Sequence, residues 1–226
     1  GAPAGRLAVW GWLLAGAGVA LLGTATSVKR SARWPVNLLH LRDLVRESSR
    51  RHSIPPGVLL AFMDLESRFR PDEYNPEAPE VMRAWACEIA SKPERWAVNP
   101  DYGQAVQVCE LTARGRVEEA QALWTFGSAG LLQVMGIVAR ERGGYPYEAP
   151  NEGLFDPAEN LRVGSRIIAA RRERLYPGRR RLELREWSRV RAAYVGGPGI
   201  LEQKPAKAAE IARRFLDRVV QYRDVG

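Results

Sequence analysis

The chain has few of the side chains that usually bind metal ions. It contains two cysteines, Cys87 and Cys109, and two histidines, His40 and His52. Neither cysteine has a second cysteine or a histidine at the spacing of a zinc site, so we expect no metal and no cofactor. The cysteines leave two alternatives open. They form a disulfide between two helices if the protein works outside a reducing compartment, or they are two buried thiols.

Strictly alternating β-branched residues are nearly absent, which argues against a large sheet. Ala, Leu, Arg and Glu predominate instead, and these residues favour helices. Apolar residues make up 46% of the chain and charged residues 27%, which are the proportions of a folded globular protein. The sequence therefore predicts an all-α fold, or an α-dominated α+β fold.

Lysine is also rare. The positive charge is carried by 30 arginines and only 4 lysines, and the net charge is +8. Arginine suits planar and multivalent anions, so the charge indicates a partner such as nucleic acid, an anionic lipid or an acidic wall polymer. The arginines at 179–181 form one short basic cluster without interleaved aromatic residues, unlike a nucleic-acid site. We expect no nucleic-acid partner.

Charge is absent from residues 7–28, a segment long enough to span a bilayer as a helix. We favour a retained apolar helix within residues 1–34 that anchors the protein in a membrane or in an assembly. A cleaved signal peptide is the alternative. The positive residues that follow, Lys29, Arg30 and Arg33, would nominally keep the next domain cytoplasmic.

The rest of the chain, residues 35–226, is predicted to form one helical domain. Apolar stripes at helical spacing alternate with proline and glycine punctuation along this region. The helices predicted at about residues 75–124 are extra elements that form an insertion.

One predicted helix, within residues 56–70, carries a carboxylic acid on an apolar stripe. Glu66 lies there at helical spacing from three bulky apolar residues, Leu59, Phe62 and Met63. Apolar surroundings favour the protonated form of a carboxylic acid, which is the form that a general acid requires. Glu66 is therefore a candidate catalytic acid. The competing interpretation is a glutamate paired with Arg68, Arg70 or another arginine.

Four segments then occur in one order along the chain: residues 66–69, 130–135, 155–157 with Asn160, and 193–199. Together they resemble the soluble lytic transglycosylase family, which has a lysozyme-like fold and includes goose-type lysozymes among its relatives. The resemblance covers residues 38–215, and the run at 133–141 is similar to the phage-encoded branch.

This resemblance implies cleavage of the β-1,4 bond between N-acetylmuramic acid and N-acetylglucosamine in peptidoglycan, with closure of a 1,6-anhydro ring. It implies that Glu66 is the single acid and base, because no water attacks and no second carboxylate is needed. It also implies that Gln133 and Met135 line the glycan cleft and that the Tyr194 hydroxyl lies near Glu66. Ser128 and Gly130 are further candidates for substrate binding.

The sequence departs from the family pattern at Val195, where the family usually has an asparagine. Asp72 and Glu73 follow the Glu66 helix closely and could hold a water, so a hydrolytic muramidase stays open. A structural or assembly protein with a weakly active lysozyme-like domain also stays open. The expected partners are peptidoglycan strands, and a membrane or virion tail proteins through the apolar helix. The expected location is the cell envelope, membrane-anchored or periplasmic, or a phage virion.

Overall fold

A computed structural model of the chain describes residues 34–123, 127–197 and 199–225. Nearly all of the apolar segment that we predicted within residues 1–34 lies outside these ranges. No helix in the described ranges is both long enough and apolar enough to cross a membrane.

Most of the described chain is helical. Its α-helices are α1 (Arg42–His52), α2 (Pro56–Ser67), α3 (Pro79–Ala90), α4 (Pro93–Trp96), α5 (Tyr102–Ala113), α6 (Val117–Gln121), α7 (Gly136–Arg142), α8 (Pro157–Leu175), α9 (Leu184–Gly196), α10 (Ile200–Gln203) and α11 (Pro205–Val219). Short 3-10 helices span Val36–Leu41, Asn151–Phe155 and Val220–Tyr222. The α-dominated fold predicted from composition is therefore confirmed.

The helix boundaries follow local sequence signals. Pro56 begins α2, where its missing N–H is not needed. Asp156 followed by a proline is a sequence signal that predicts a helix start, and Asp156 caps α8: its Oδ1 accepts a hydrogen bond from the Glu159 backbone N–H at 2.8 Å. Signals of this kind act within one or two turns of the chain, and the sequence displays them directly.

The main hydrophobic core lies between α1, α2, α8, α9 and α11. Helix α2 is buried on all sides, and its central residues Leu59, Leu60, Phe62 and Met63 are inaccessible to solvent. A helix packed on every face has little freedom to move. It therefore gives a rigid support to the residues of its last turn, which include Glu66.

A small antiparallel sheet accompanies the helices. Its strands are β1 (Tyr74–Pro76), β2 (Gly127–Ala129) and β3 (Val134–Met135), with β2 in the centre. The insertion that we predicted from about residue 75 begins with a strand, β1, and its first helix begins at Pro79. This strand is stabilised by pairing with β2, a distant part of the chain, and not by its own propensity.

The helices between Pro79 and Gln121 have a hydrophobic cluster of their own. It is built from α3, α5 and α6 together with Ile137 of α7. A disulfide joins Cys87 of α3 to Cys109 of α5, which decides between the two alternatives left open for these cysteines. The insertion is thus cross-linked internally and packs against α7.

Candidate active site

Glu66 lies at the C-terminal end of α2, at the edge of the main core. The next residue, Ser67, is buried, and its Oγ donates a hydrogen bond to the Leu131 carbonyl at 3.0 Å. Arg68 and Phe69 then adopt left-handed conformations, with φ angles of 52° and 65°. Two successive non-glycine residues in this region are unusual, and they turn the chain away directly after Glu66. The Glu66 side chain keeps 17% of its surface exposed.

The Glu66 carboxylate has an arginine partner. Its Oε1 accepts a hydrogen bond from Arg191 Nη1 of α9. The Arg191 side chain is only 7% exposed, and its guanidinium carbon lies 5.1 Å from the centre of the Phe62 ring. The structure thus shows the competing interpretation, a glutamate paired with an arginine, although the partner is neither Arg68 nor Arg70. Arg191 lies 125 positions away in sequence, so the stripe on α2 gave no sign of it.

Tyr194 follows Arg191 by about one turn of α9. Its hydroxyl donates to the Leu132 carbonyl at 2.7 Å, and its ring packs edge-on against Phe62 with 5.5 Å between the ring centres. Burial raises the pKa of the Tyr194 phenol, the charge of Glu66 raises it further, and Arg191 opposes the shift. Tyr194 thus lies within electrostatic reach of Glu66, while its hydroxyl proton is used to hold the backbone at Leu132.

The turn at residues 130–133 is built by Gly130. Its φ is +74°, and a Cβ atom there would lie 2.3 Å from Asn160 Nδ2 and 2.4 Å from the Leu154 carbonyl oxygen. Only glycine suits both the conformation and the space. Gly130 is buried, and its N–H donates to the Glu73 carbonyl at 2.9 Å. It therefore supports the turn from a buried position, and a direct contact of Gly130 with a substrate stays a prediction.

The Gln133 side chain is bonded within the protein. Its Nε2 donates to the carbonyls of Glu73 at 3.0 Å and of Gly130 at 2.8 Å. Its Oε1 accepts a hydrogen bond from Asn75 Nδ2 at 2.6 Å. Gln133 consequently ties the turn at 130–133 to β1, and a direct contact with the glycan stays a prediction.

Ser128 and Met135 are brought together by the sheet. They are direct partners in the pairing of β2 with β3, so their side chains share one face. Met135 is partly buried against the insertion core. Ser128 Oγ donates to Glu77 Oε1 at 3.3 Å. Ser128 and Met135 thus form a small surface, partly polar and partly apolar, next to the carboxylate of Glu77.

Glu77 is the functional candidate that the sequence did not reveal. Burial raises the pKa of its carboxyl, the Ser128 hydroxyl lowers it, and the charge of Glu66 raises it. We had considered Asp72 and Glu73 as second carboxylates, but Glu73 is ion-paired with Arg70. Glu77 was missed because it lies in the connection between β1 and α3, and the strand pairing that brings it to Ser128 is a long-range contact.

The chain was also compared with known protein families and structures. The family model described as "Transglycosylase SLT domain" matches residues 43–215. The chain belongs to the transglycosylase SLT family. This membership confirms the resemblance drawn from the four sequence segments, and it assigns the domain a lytic-transglycosylase type of function in peptidoglycan degradation. No curated protein and no solved structure matches the chain.

Asn160 holds the SLT domain together behind the turn at 130–133. It is fully buried, and its Oδ1 accepts a hydrogen bond from the Leu132 N–H at 2.8 Å. Its Nδ2 donates to the carbonyls of Ala129 at 2.9 Å and of Leu154 at 2.8 Å. Because one amide satisfies three backbone groups, Asn160 positions the segment to which Ser67 and Tyr194 are bonded.

The groups gathered around Glu66 are suited to acid–base chemistry on a polar substrate. They comprise two carboxylates, a buried guanidinium and a phenol, which come from α2, from α9 and from the connection between β1 and α3. Within the described ranges, no three His, Cys, Asp or Glu side chains cluster closely enough to hold a metal ion.

Proposed function

We propose that this SLT domain cleaves the β-1,4 bond between N-acetylmuramic acid and N-acetylglucosamine and forms a 1,6-anhydro product, with Glu66 as acid and base. The proposal rests on one observation, namely that a mostly buried carboxylate stands at the rigid end of α2 within electrostatic reach of Tyr194 and Glu77. A single acid at a defined position is sufficient for this reaction, because the substrate supplies its own nucleophile.

The proposed reaction returns Glu66 to its starting state. In the first step the carboxylic acid gives its proton to the glycosidic oxygen as the bond from that oxygen to C1 breaks. In the second step the resulting carboxylate takes the proton of the C6 hydroxyl as the C6 oxygen bonds to C1. No water is consumed, and Glu66 ends protonated.

Arg191 gives this proposal a specific requirement. A carboxylate in an ion pair can accept a proton, whereas the first step needs a proton to donate. We therefore propose that binding of the glycan separates Arg191 from Glu66 and excludes water from the carboxyl. The Phe62 ring under the guanidinium would hold Arg191 near the site after separation.

Ser128 and Met135 are the side chains that we propose for glycan contact, since they share one face of the sheet next to Glu77. Gln133 and Tyr194 fit a supporting role better, because their polar atoms already bond to the backbone of the protein. Contact through these two would require those hydrogen bonds to rearrange.

Glu77 favours a second candidate function, a hydrolytic muramidase. Two carboxylates flank the scissile bond in ordinary glycosidases, and one of them can activate a water. In that case Glu77 would hold the water and Glu66 would remain the acid. The products would then carry reducing ends in place of anhydro rings.

The product distinguishes the two candidates. Purified peptidoglycan is digested with the full chain, and the soluble fragments are analysed by mass spectrometry. We expect anhydro-muropeptides, which weigh about 18 Da less than the hydrolysis products because no water is added. Glu66→Gln should abolish release while the far-ultraviolet circular dichroism stays unchanged. Wall binding without any release would contradict both enzymatic candidates and support a structural role.

Glu77→Gln tests the second carboxylate directly. If the reaction is a transglycosylation, this variant should keep most of its turnover and all of its anhydro product. If Glu77 holds the attacking water, turnover should fall by about a hundredfold or more. Glu80→Gln, which removes an exposed carboxylate of α3, is the matched control.

We further propose that the protein works in the cell envelope or in a virion, where it would meet peptidoglycan. The disulfide between Cys87 and Cys109 supports an oxidising compartment. The uncharged residues 7–28 are the segment that we propose for contact with a membrane or with tail proteins. Extraction of producing cells with alkaline carbonate should leave the chain in the membrane pellet if the segment is inserted in a bilayer.

A further inference from the structure

A cavity of about 620 Å³ lies at the opposite end of α2 from Glu66. It is lined by Arg46, Ser49, Arg50, Ser53, Ile54, Pro55, Pro56, Arg180 and Arg181. We call it the arginine pocket. Pro56 and Glu66 are ten residues apart on one helix, which corresponds to about 15 Å at the rise of an α-helix. The arginine pocket is therefore separate from the candidate active site.

Three parts of the chain build the arginine pocket. One face of α1 supplies Arg46, Ser49 and Arg50, which are spaced by three and four residues. The connection to α2 supplies an apolar wall, and the loop before α9 supplies Arg180 and Arg181. The basic cluster at 179–181, which the proposed function leaves unused, thus contributes to a defined concave surface.

Three of the arginines in the arginine pocket, Arg50, Arg180 and Arg181, have no acidic partner among the described residues. No Asp or Glu is among the residues that line it. Within the described ranges, no carboxylate forms an ion pair with Arg50, Arg180 or Arg181, whereas the neighbouring Arg179 is paired with Glu186. Several guanidinium groups in one concavity repel one another unless an anion lies between them.

Ser49 is the second and independent sign of a ligand. Its side chain is buried, with 6% of the residue surface exposed, and its Oγ has no hydrogen-bond partner. A buried hydroxyl without a partner costs free energy. Because Ser49 lines the arginine pocket, this hydroxyl would gain a partner if its side chain turned towards an oxygen-rich anion bound there.

We propose that the arginine pocket binds the phosphate group of an organic phosphate whose apolar part lies on Pro55 and Pro56. Guanidinium groups bind phosphate through paired N–H donors, and a phosphate has enough oxygens for several of them and for the Ser49 hydroxyl. A lone carboxylate has two oxygens and would satisfy fewer of these donors. The phosphate group could belong to a lipid headgroup in a bilayer or to a free small molecule.

The two sources are separated by the probes. The full chain is titrated calorimetrically with phenyl phosphate and with inorganic phosphate. In parallel it is sedimented with phosphatidylcholine vesicles that contain or lack phosphatidylglycerol. If the apolar wall takes part, phenyl phosphate should bind about tenfold more tightly than inorganic phosphate.

Two variants connect the binding to the arginine pocket. Arg180→Gln with Arg181→Gln should weaken binding by about tenfold or more, and Ser49→Ala by about threefold. Arg83→Gln with Arg114→Gln removes the same charge from exposed positions on and beside the insertion helices, and it should leave binding unchanged. None of these residues contacts Glu66, so the release of muropeptides should be the same in all variants.

Each outcome decides the proposal. Binding of phenyl phosphate that the pocket variants lose would support a free organic phosphate as the ligand. Added retention on vesicles with phosphatidylglycerol, lost in the same variants, would support a lipid headgroup. Absence of both, equal binding of phenyl and inorganic phosphate, or an equal loss in the control variant would overturn it.

Discussion

The Glu66 carboxylate and the Arg191 guanidinium form an ion pair in which the Glu66 side chain is 17% exposed and the Arg191 side chain 7%. Such a pair has given up most of its hydration, so either partner is costly if it is left alone. The pair therefore links the candidate catalytic acid to α9, the helix that also carries Tyr194. Any glycan that reaches Glu66 must compete with Arg191.

The first prediction concerns the coupling between these two charges. Glu66→Met and Arg191→Met should each lower the free energy of unfolding by about 3 kcal/mol, because each leaves the other charge buried without its partner. The double variant should lose less than the sum of the single losses, by about 1–3 kcal/mol. Urea unfolding of the four proteins measures this difference.

An exposed pair of the same kind provides the comparison. Glu210 and Arg214 of α11 are an (i, i+4) pair with both side chains in solvent. Their coupling in the same cycle should be about 0.5 kcal/mol or less. Equal coupling in the two cycles would contradict the special position of Glu66 and Arg191.

The second prediction concerns Asn160. Asn160→Ala removes three hydrogen bonds and leaves the Leu132 N–H and the carbonyls of Ala129 and Leu154 without a partner. We expect a loss of about 3 kcal/mol in the free energy of unfolding. Release of muropeptides should also fall at temperatures where the variant is folded, because the turn beside Glu66 moves. Asn37→Ala, at an exposed position, should change neither quantity.

The third prediction concerns the disulfide. Cys87 and Cys109 are 22 residues apart, and a loop of that length contributes about 3 kcal/mol to stability when it is closed. Replacing both cysteines by serine should therefore lower the melting temperature. Amide exchange should accelerate mainly in α3 and α5, while α2 stays protected. A reducing agent should destabilise the natural chain but not the double variant, and equal sensitivity of both would argue against the bond.

The fourth prediction concerns pH. Burial lowers the pKa of His52 below 6.5, and the charges of Arg51, Arg166, Arg172 and Arg162 lower it further. The folded state therefore disfavours the protonated ring. The stability that this group contributes is present above pH 6.5 and is lost as the pH falls from there towards the lower pKa of the folded state.

The free energy of unfolding should consequently fall between about pH 7.5 and about pH 5.5. His52→Gln should remove part of that fall, whereas His40→Gln, at an exposed position, should not. Urea unfolding at both pH values tests this. An unchanged pH dependence in His52→Gln would show that other groups cause it.

The sequence predicted well whatever depends on neighbouring residues. The spacing of Leu59, Phe62 and Met63 predicted a buried stripe on α2, and Asp156 with the following proline predicted the start of α8. The four ordered segments indicated the family that the comparison then established. These signals lie within a few turns of chain, so they can be recognised without a tertiary structure.

The sequence failed where distant segments meet. It did not identify Arg191 as the partner of Glu66, since Arg191 comes from another helix. It gave Glu77 no role, because the strand pairing of β1 is a long-range contact. It did not reveal that Gly130 makes room for Asn160. Small residues look alike in sequence whether they face a ligand or a neighbouring segment.

The sequence by itself thus determined the helical fold, the buried helix with an acid in its last turn, and the family. Only the tertiary structure decided the environment of that acid, the bonding of the two cysteines and the joining of scattered arginines into one pocket. The physical reason is that helix formation follows from local periodicity, whereas the charge and solvation of a side chain depend on which remote residues pack against it.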